Sequence, residues 1–192
     1  MTNSQLKQNA KATLKGNWGT VICIVLVQGL ITALAASLGV GIASLILAGP
    51  LAFGLTFAFI SLTRTQKTEF NHLFKGFESF GATCITGILH SVYIFLWTLL
   101  FFVPGFVKTY SYAMTYYILN DNPALSANDA ITESRKMMDG NKMNLFILDL
   151  TFIGWYILSA FTFGILLLYV VPYHNATRAQ FYEKIKAEKA AA

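Results

Sequence analysis

The chain has 192 residues, 55% of them hydrophobic and only 12% charged, with a formal net charge of +5 and a mean hydropathy of +0.55. Soluble chains carry about 25% charged residues, and a soluble fold this poor in charge would expose large apolar patches and aggregate. The positive balance does not point to nucleic acid, because the basic residues are spread along the ends of apolar segments and form neither a recognition helix nor a basic-aromatic platform.

Residues 1–17 lack the apolar core and the small-residue cleavage site of a signal peptide, so the first apolar segment reads as a retained helix. Within them, 4–15 is a helix candidate with Asn3 or Ser4 as its cap. Lys7, Lys11 and Lys15 share one face and Leu6, Ala10, Thr13 and Leu14 a neighbouring one, which suits either an amphipathic leader on an anionic membrane surface or a solvated leader.

From Trp18 to Leu62 the chain runs 45 residues without Asp, Glu, Lys or Arg. A bilayer core is about 30 Å thick and takes about 20 helical residues, so this stretch is two crossings, with Gly39-Val40-Gly41 as the turn. The second apolar stretch, 82–120, would be about 58 Å long as one helix, too long even with strong tilt. Pro104-Gly105 divides it into spans 82–103 and 106–120, with Lys108 one turn inside the return leg. The third stretch, 143–181, divides at Thr162-Phe163-Gly164 into 143–161 and 164–181.

The expected fold is therefore all-α: a polytopic transmembrane bundle of six spans in three hairpins, with short cytoplasmic amphipathic helices. Four spans with kinked or re-entrant helices is the alternative. The whole chain, 1–192, is one membrane domain, made of leader 1–17, hairpins 18–62, 82–120 and 143–181, cytoplasmic helix 121–142 and tail 182–192. Thirteen of the 14 basic residues fall in polar segments 1–17, 63–81, 121–142 and 178–192; Lys108 is the exception. Such loops stay inside, which places the protein in a plasma membrane with both termini cytoplasmic and membrane lipids around it.

Three polar segments share a pattern in which a glycine (Gly16, Gly76, Gly140) precedes a hairpin, as in a repeated unit of short helix, left-handed turn and hairpin. In the third, Asn122-Pro123 stops a helix and Ser126 with Asp129 starts another. Ala127, Ala130, Ile131, Ser134, Met137 and Met138 line one face of it, and Glu133 pairs with Lys136 at i,i+3. This helix either docks under the membrane domain or offers 126–138 to a membrane or cytoplasmic protein partner.

These residues carry a resemblance. Leu14-Lys15-Gly16-Asn17-Trp18, Pro104-Gly105 with Lys108 to Met114, Asp121-Asn122-Pro123, Ser134 to Met138, Gly140-Asn141-Lys142, Phe152 to Trp155 and Pro172-Tyr173 resemble the DUF975 family of small bacterial integral membrane proteins. The resemblance covers nearly the whole chain and implies a multi-span membrane protein. It brings no established activity.

No catalytic, cofactor or metal motif is present: HExxH, GxSxG, Walker A and Rossmann fingerprints are all absent, and His72, His90 and His174 are scattered. Cys23 and Cys84 form no CxxC pair and read as small buried side chains. One candidate intramembrane polar site remains. Asp149 lies two turns into its span, where a carboxylate needs a partner, and Lys108 is the basic residue outside the polar segments. Tyr112 and Tyr116 share a face one turn beyond Lys108. These four groups suit a solute path or a hydrogen-bonded seam between helices. The sequence favours a non-catalytic scaffold or regulatory partner. A transporter, or transporter subunit, for a small or lipid-like solute is the alternative, and an intramembrane lipid-modifying enzyme is a third reading.

Overall fold

A computed structural model describes residues 2–37, 41–100 and 102–190. The described residues are helical apart from short turns: α1 (Asn3–Leu14), α2 (Trp18–Ser37), α3 (Gly41–Thr65), a 3₁₀ turn (Phe70–Phe74), α4 (Lys75–Glu78), α5 (Phe80–Leu100), α6 (Phe102–Ser111), α7 (Thr115–Asp121), α8 (Ala127–Met137), α9 (Lys142–Phe161) and α10 (Leu167–Ala190). Among the described residues four helices, within α2, α3, α5 and α9, are long and apolar enough to cross a membrane. The protein is thus an all-α polytopic membrane bundle.

Lipid-facing and inward surfaces separate by helical period rather than by polarity. On α2 the exposed residues Leu26, Leu30 and Leu34 follow one another every fourth position, while Val21 and Ile24 are buried. On α9, Leu145, Leu148 and Phe152 are buried, whereas Met143, Ile147, Leu150, Ile153 and Ile157 are exposed. An apolar surface on both faces is the mark of a helix that meets protein on one side and hydrocarbon on the other. The central core gathers around α10, where Val170, Tyr173, Ala176, Phe181, Tyr182 and Ile185 pack against Leu6, Ala10 and Leu14 of α1 and Tyr117 and Ile118 of α7. α1 therefore buries its apolar face against protein.

Close approach of backbones holds α3 in place. A Cβ on Gly49 would lie 2.1 Å from the Thr83 carbonyl oxygen of α5, and one on Gly54 would lie 1.8 Å from that of Leu73. Small residues at such contacts let helices pack where lipid supplies no hydrophobic drive between them.

Several boundaries differ from the sequence reading. The α1 cap is Thr2, not Asn3 or Ser4; its hydroxyl accepts from Gln5 N while the Gln5 side chain accepts from Thr2 N. Of the turn expected at Gly39-Val40-Gly41, the first two residues lie outside the described residues, and Gly41 opens α3. Pro104-Gly105 is not a turn but the first turn of α6, where a missing N–H costs nothing. Span 106–120 is two short helices, broken at residues 112–114. The third hairpin turns where expected, with Phe163 and Gly164 at φ +49 and +83, although α10 begins at Leu167 and runs through residue 181 to Ala190. Gly16 and Gly140 have the left-handed φ that the repeat requires, at +90 and +77. Gly76 has another reason to be glycine, since a Cβ there would lie 2.1 Å from the Pro50 carbonyl oxygen. Cys23 is exposed and Cys84 partly so, not buried.

Candidate functional site

The four candidate polar residues belong to three separate places. Asp149, in the middle of α9, finds its partners across the α9–α10 hairpin. His174 Nε2 lies 2.7 Å from Asp149 Oδ1, Arg178 Nε donates to the same oxygen at 3.1 Å, and Arg178 Nη2 donates to Oδ2. Tyr156 OH lies 2.8 Å from His174 Nδ1. The imidazole thus bridges the Asp149 carboxylate and the Tyr156 hydroxyl, one ring nitrogen to each. The Phe152 ring stacks on the imidazole at 4.6 Å, and Lys7 of α1 places its ammonium 4.4 Å from that ring's centre. The Asp149 carboxylate, nearly buried, is answered from the helix opposite by the partly open Arg178 guanidinium, and the pair pins the hairpin.

Lys108 pairs with no carboxylate there. Its ammonium sits 4.3 Å from the centre of the Trp97 ring, a cation–π contact. It lines an open groove of about 350 Å³ together with Ser111, Thr132, Arg135, Lys136, Lys142 and one acid, Asp139. Lys108 therefore lies beside basic residues of polar segment 121–142. Lys142 also edges a neighbouring apolar cleft of about 150 Å³ formed by Phe106, Val107, Tyr110, Met143 and Phe146.

Tyr112 and Tyr116 face α5 instead. Their rings lie 6.0 and 5.8 Å from that of His90, and Tyr93 lies 6.2 Å from Tyr112. This is a seam of aromatic side chains between α5 and the α6–α7 leg.

The break in that leg has its own support. Ser134 of α8 is fully buried; its hydroxyl donates to the Ser111 carbonyl at 2.9 Å and accepts from Met114 N at 3.1 Å. One side chain thus satisfies a backbone acceptor at the end of α6 and a donor just before α7, groups a broken helix leaves open.

A second ionic junction ties the polar ends together. Asp121 accepts from Tyr182 OH at 2.6 Å and Lys186 Nζ at 2.5 Å, and Arg64 Nη2 bridges it to Glu183 at 2.8 and 2.7 Å. Burial pushes the Asp121 carboxyl up, but its bonds to Lys186, Tyr182 and Arg64 outweigh that and hold it below the usual carboxylate range. Burial, then the Asp121 contact, pushes the Tyr182 phenol up. Asn17 Nδ2 donates to the Gln66 carbonyl, Gln180 Nε2 to Thr13 Oγ1, and Lys189 Nζ to the Lys136 carbonyl. Segments 1–17, 63–81, 121–142 and 178–192 thus meet at one end of the bundle.

Sequence reasoning missed Arg178, His174 and Ser134. The first had a signal: Asp149 lies 15 residues before Gly164 and Arg178 lies 14 after it, so a hairpin folded at that glycine brings them level. The 3–4 spacing puts Ser134 on the inward face of its helix, but its role depends on where α6 breaks. Among the described residues no three His, Cys, Asp or Glu side chains gather as metal ligands.

No curated protein and no solved structure matches the chain. The model of the DUF975 family, described as a protein of unknown function, matches residues 1–111 and 100–189. With those matches spanning nearly its full length and its apolar helices built for a bilayer, the chain belongs to the DUF975 family of small bacterial integral membrane proteins.

Proposed function

We propose that this protein handles a lipid-like solute, as a transporter or as the membrane subunit of one. The observation that carries the reading is the broken α6–α7 leg beside a cationic groove. Interrupted helices at membrane depth occur where backbone lines a cavity or is answered by other protein groups, and transporters build solute sites around them. Here the α6 end at Ser111 lines the groove directly, and the break is held open by one serine hydroxyl on α8.

The proposed topology follows from the ionic ties. Three helical hairpins, α2/α3, α5 with α6–α7, and α9/α10, enter from the face where the four polar segments meet. That face carries the basic residues and is cytoplasmic by the positive-inside rule. The groove then opens to the cytoplasmic side and its apolar neighbour to the inner leaflet.

A scaffolding role would use the outward face of α8, where Asp129, Glu133, Arg135 and Lys136 are exposed. The two readings separate in one experiment. Lipid and solute profiles are compared in a deletion strain carrying an empty vector, wild type, or a Lys108→Gln/Arg135→Gln variant. The transport reading expects the deletion to change a lipid-like fraction, wild type to restore it, and the variant to fail while its membrane abundance stays normal. Identical profiles in all three strains would remove the transport reading.

A further inference from the structure

We propose that the cationic groove and the adjoining apolar cleft form one amphipathic site for an anionic phospholipid, its phosphate in the groove and the start of one acyl chain in the cleft. The inference rests on the lipid-handling reading and names the ligand class.

The charge count asks for an anion. Of the four cations, Lys136 is taken by Glu133 at 2.7 Å, and Lys142 meets the exposed Asp139 at 3.7 Å. Lys108 has the Trp97 ring and no carboxylate, and no carboxylate among the described residues pairs with Arg135. Asp139, the acid on the groove wall, faces Lys142, so Lys108 and Arg135 converge with no carboxylate paired to either among the described residues. A guanidinium offers a planar fork to phosphate oxygens, an ammonium a point charge, and Thr132 a hydroxyl on the same wall.

The shape asks for a tail. Lys142 borders both the groove and the cleft, so the two share an edge. The cleft wall is set by edge-to-face rings: Phe106 lies 5.8 Å and Tyr110 5.7 Å from Phe146, each near-perpendicular. Phe106, Val107 and Met143 are exposed along it and belong to the lipid-facing surface. A soluble phosphate would use the groove and leave the cleft empty, whereas a phospholipid fills both at once. Anionic inner-leaflet lipids are drawn to basic clusters by about 1 kcal/mol per Lys or Arg, and the cleft adds a contact that a bulk surface lacks.

The test measures lipid retention by the purified full-length protein, using native mass spectrometry after exchange into vesicles of phosphatidylcholine with a minor fraction of phosphatidylglycerol. Wild type is expected to retain phosphatidylglycerol over phosphatidylcholine. Lys108→Gln/Arg135→Gln should weaken this by about tenfold or more, while the charge-matched control Lys67→Gln/Lys184→Gln, away from the groove, stays within about twofold of wild type. Val107→Trp, which narrows the cleft, should lower phosphatidylglycerol retention and leave binding of the chain-free glycerophosphoglycerol headgroup unchanged. Circular dichroism of each variant confirms helix content. Equal retention by wild type and the groove variant would overturn the site, and so would displacement of the lipid by equimolar inorganic phosphate, which would make it a free-anion site. Retention with no change in the deletion strain's lipid profile would instead remove the transport reading and leave the site standing.

Discussion

Asp149 shows how a costly residue in hydrocarbon can be structural. Its carboxylate side chain is 12% exposed and bonded to both His174 and Arg178. Asp149→Leu should therefore destabilise the protein by about 2–3 kcal/mol, below the fully buried range because the Arg178 head is partly open. Adding Arg178→Met should recover much of that loss, since no charge is then left unpaired. A double-mutant cycle from thermal unfolding in detergent checks this, and additive losses would contradict it. Asp121 makes the complementary pH prediction. Its folded pKa lies below its unfolded value, so its contribution is complete above the ordinary carboxylate range and is lost as pH falls through the folded pKa. The stability difference between wild type and Asp121→Asn, about 1–3 kcal/mol at neutral pH, should thus shrink on the acid side alone. Asp149 was legible as a residue needing a partner, but its partners follow from hairpin register. Arg178 answers the carboxylate because α10 lies level with Asp149, while Lys108 packs on Trp97.

Helices were the most legible level. The amphipathic pattern of residues 126–138 marks α8 and its buried face, because 3–4 spacing of apolar residues has one helical solution. The α9 bounds follow from Lys142 and the Phe163-Gly164 turn. Pro104-Gly105 misled because proline and glycine punctuate a chain only by context. Here the proline sits in a helix's first turn, and the glycine clears the Thr98 side chain, whose Oγ1 would lie 2.5 Å from an added Cβ. The break at 112–114 carries no Pro or Gly and depends on Ser134 from another helix. Contacts between helices lead to a paired prediction. Gly49→Ala should cost about 2 kcal/mol or more, because a Cβ would strike the Thr83 backbone, a rigid neighbour. Gly29→Ala meets nothing within 4 Å and should be neutral or mildly stabilising. Melting temperatures of the two variants in the same detergent decide it, and equal shifts would contradict the close α3–α5 packing.

At the scale of the whole molecule, the polar segments are held together by Arg64, Asp121, Gln180, Lys186 and Lys189, and Lys108 joins the basic groove at segment 121–142. Hydropathy alone separates apolar from polar stretches, and the distribution of charge predicts that the polar ones share a side. Which residues tie them could not be read, since each tie joins segments tens of residues apart. The central claim is that three hairpins enter from a common cytoplasmic face, which sets the groove against the inner leaflet. Single cysteines at Asn128 and Phe163, introduced with Cys23 and Cys84 replaced by alanine, test it with a membrane-impermeant thiol reagent on intact cells. Phe163 is 99% exposed at the tip of the α9–α10 hairpin, and Asn128 is exposed near the start of α8, where its side-chain oxygen accepts from Tyr93 of α5. Labelling at Phe163→Cys, with Asn128→Cys reacting only after the cells are opened, is the predicted result; labelling of Asn128→Cys in intact cells would contradict it.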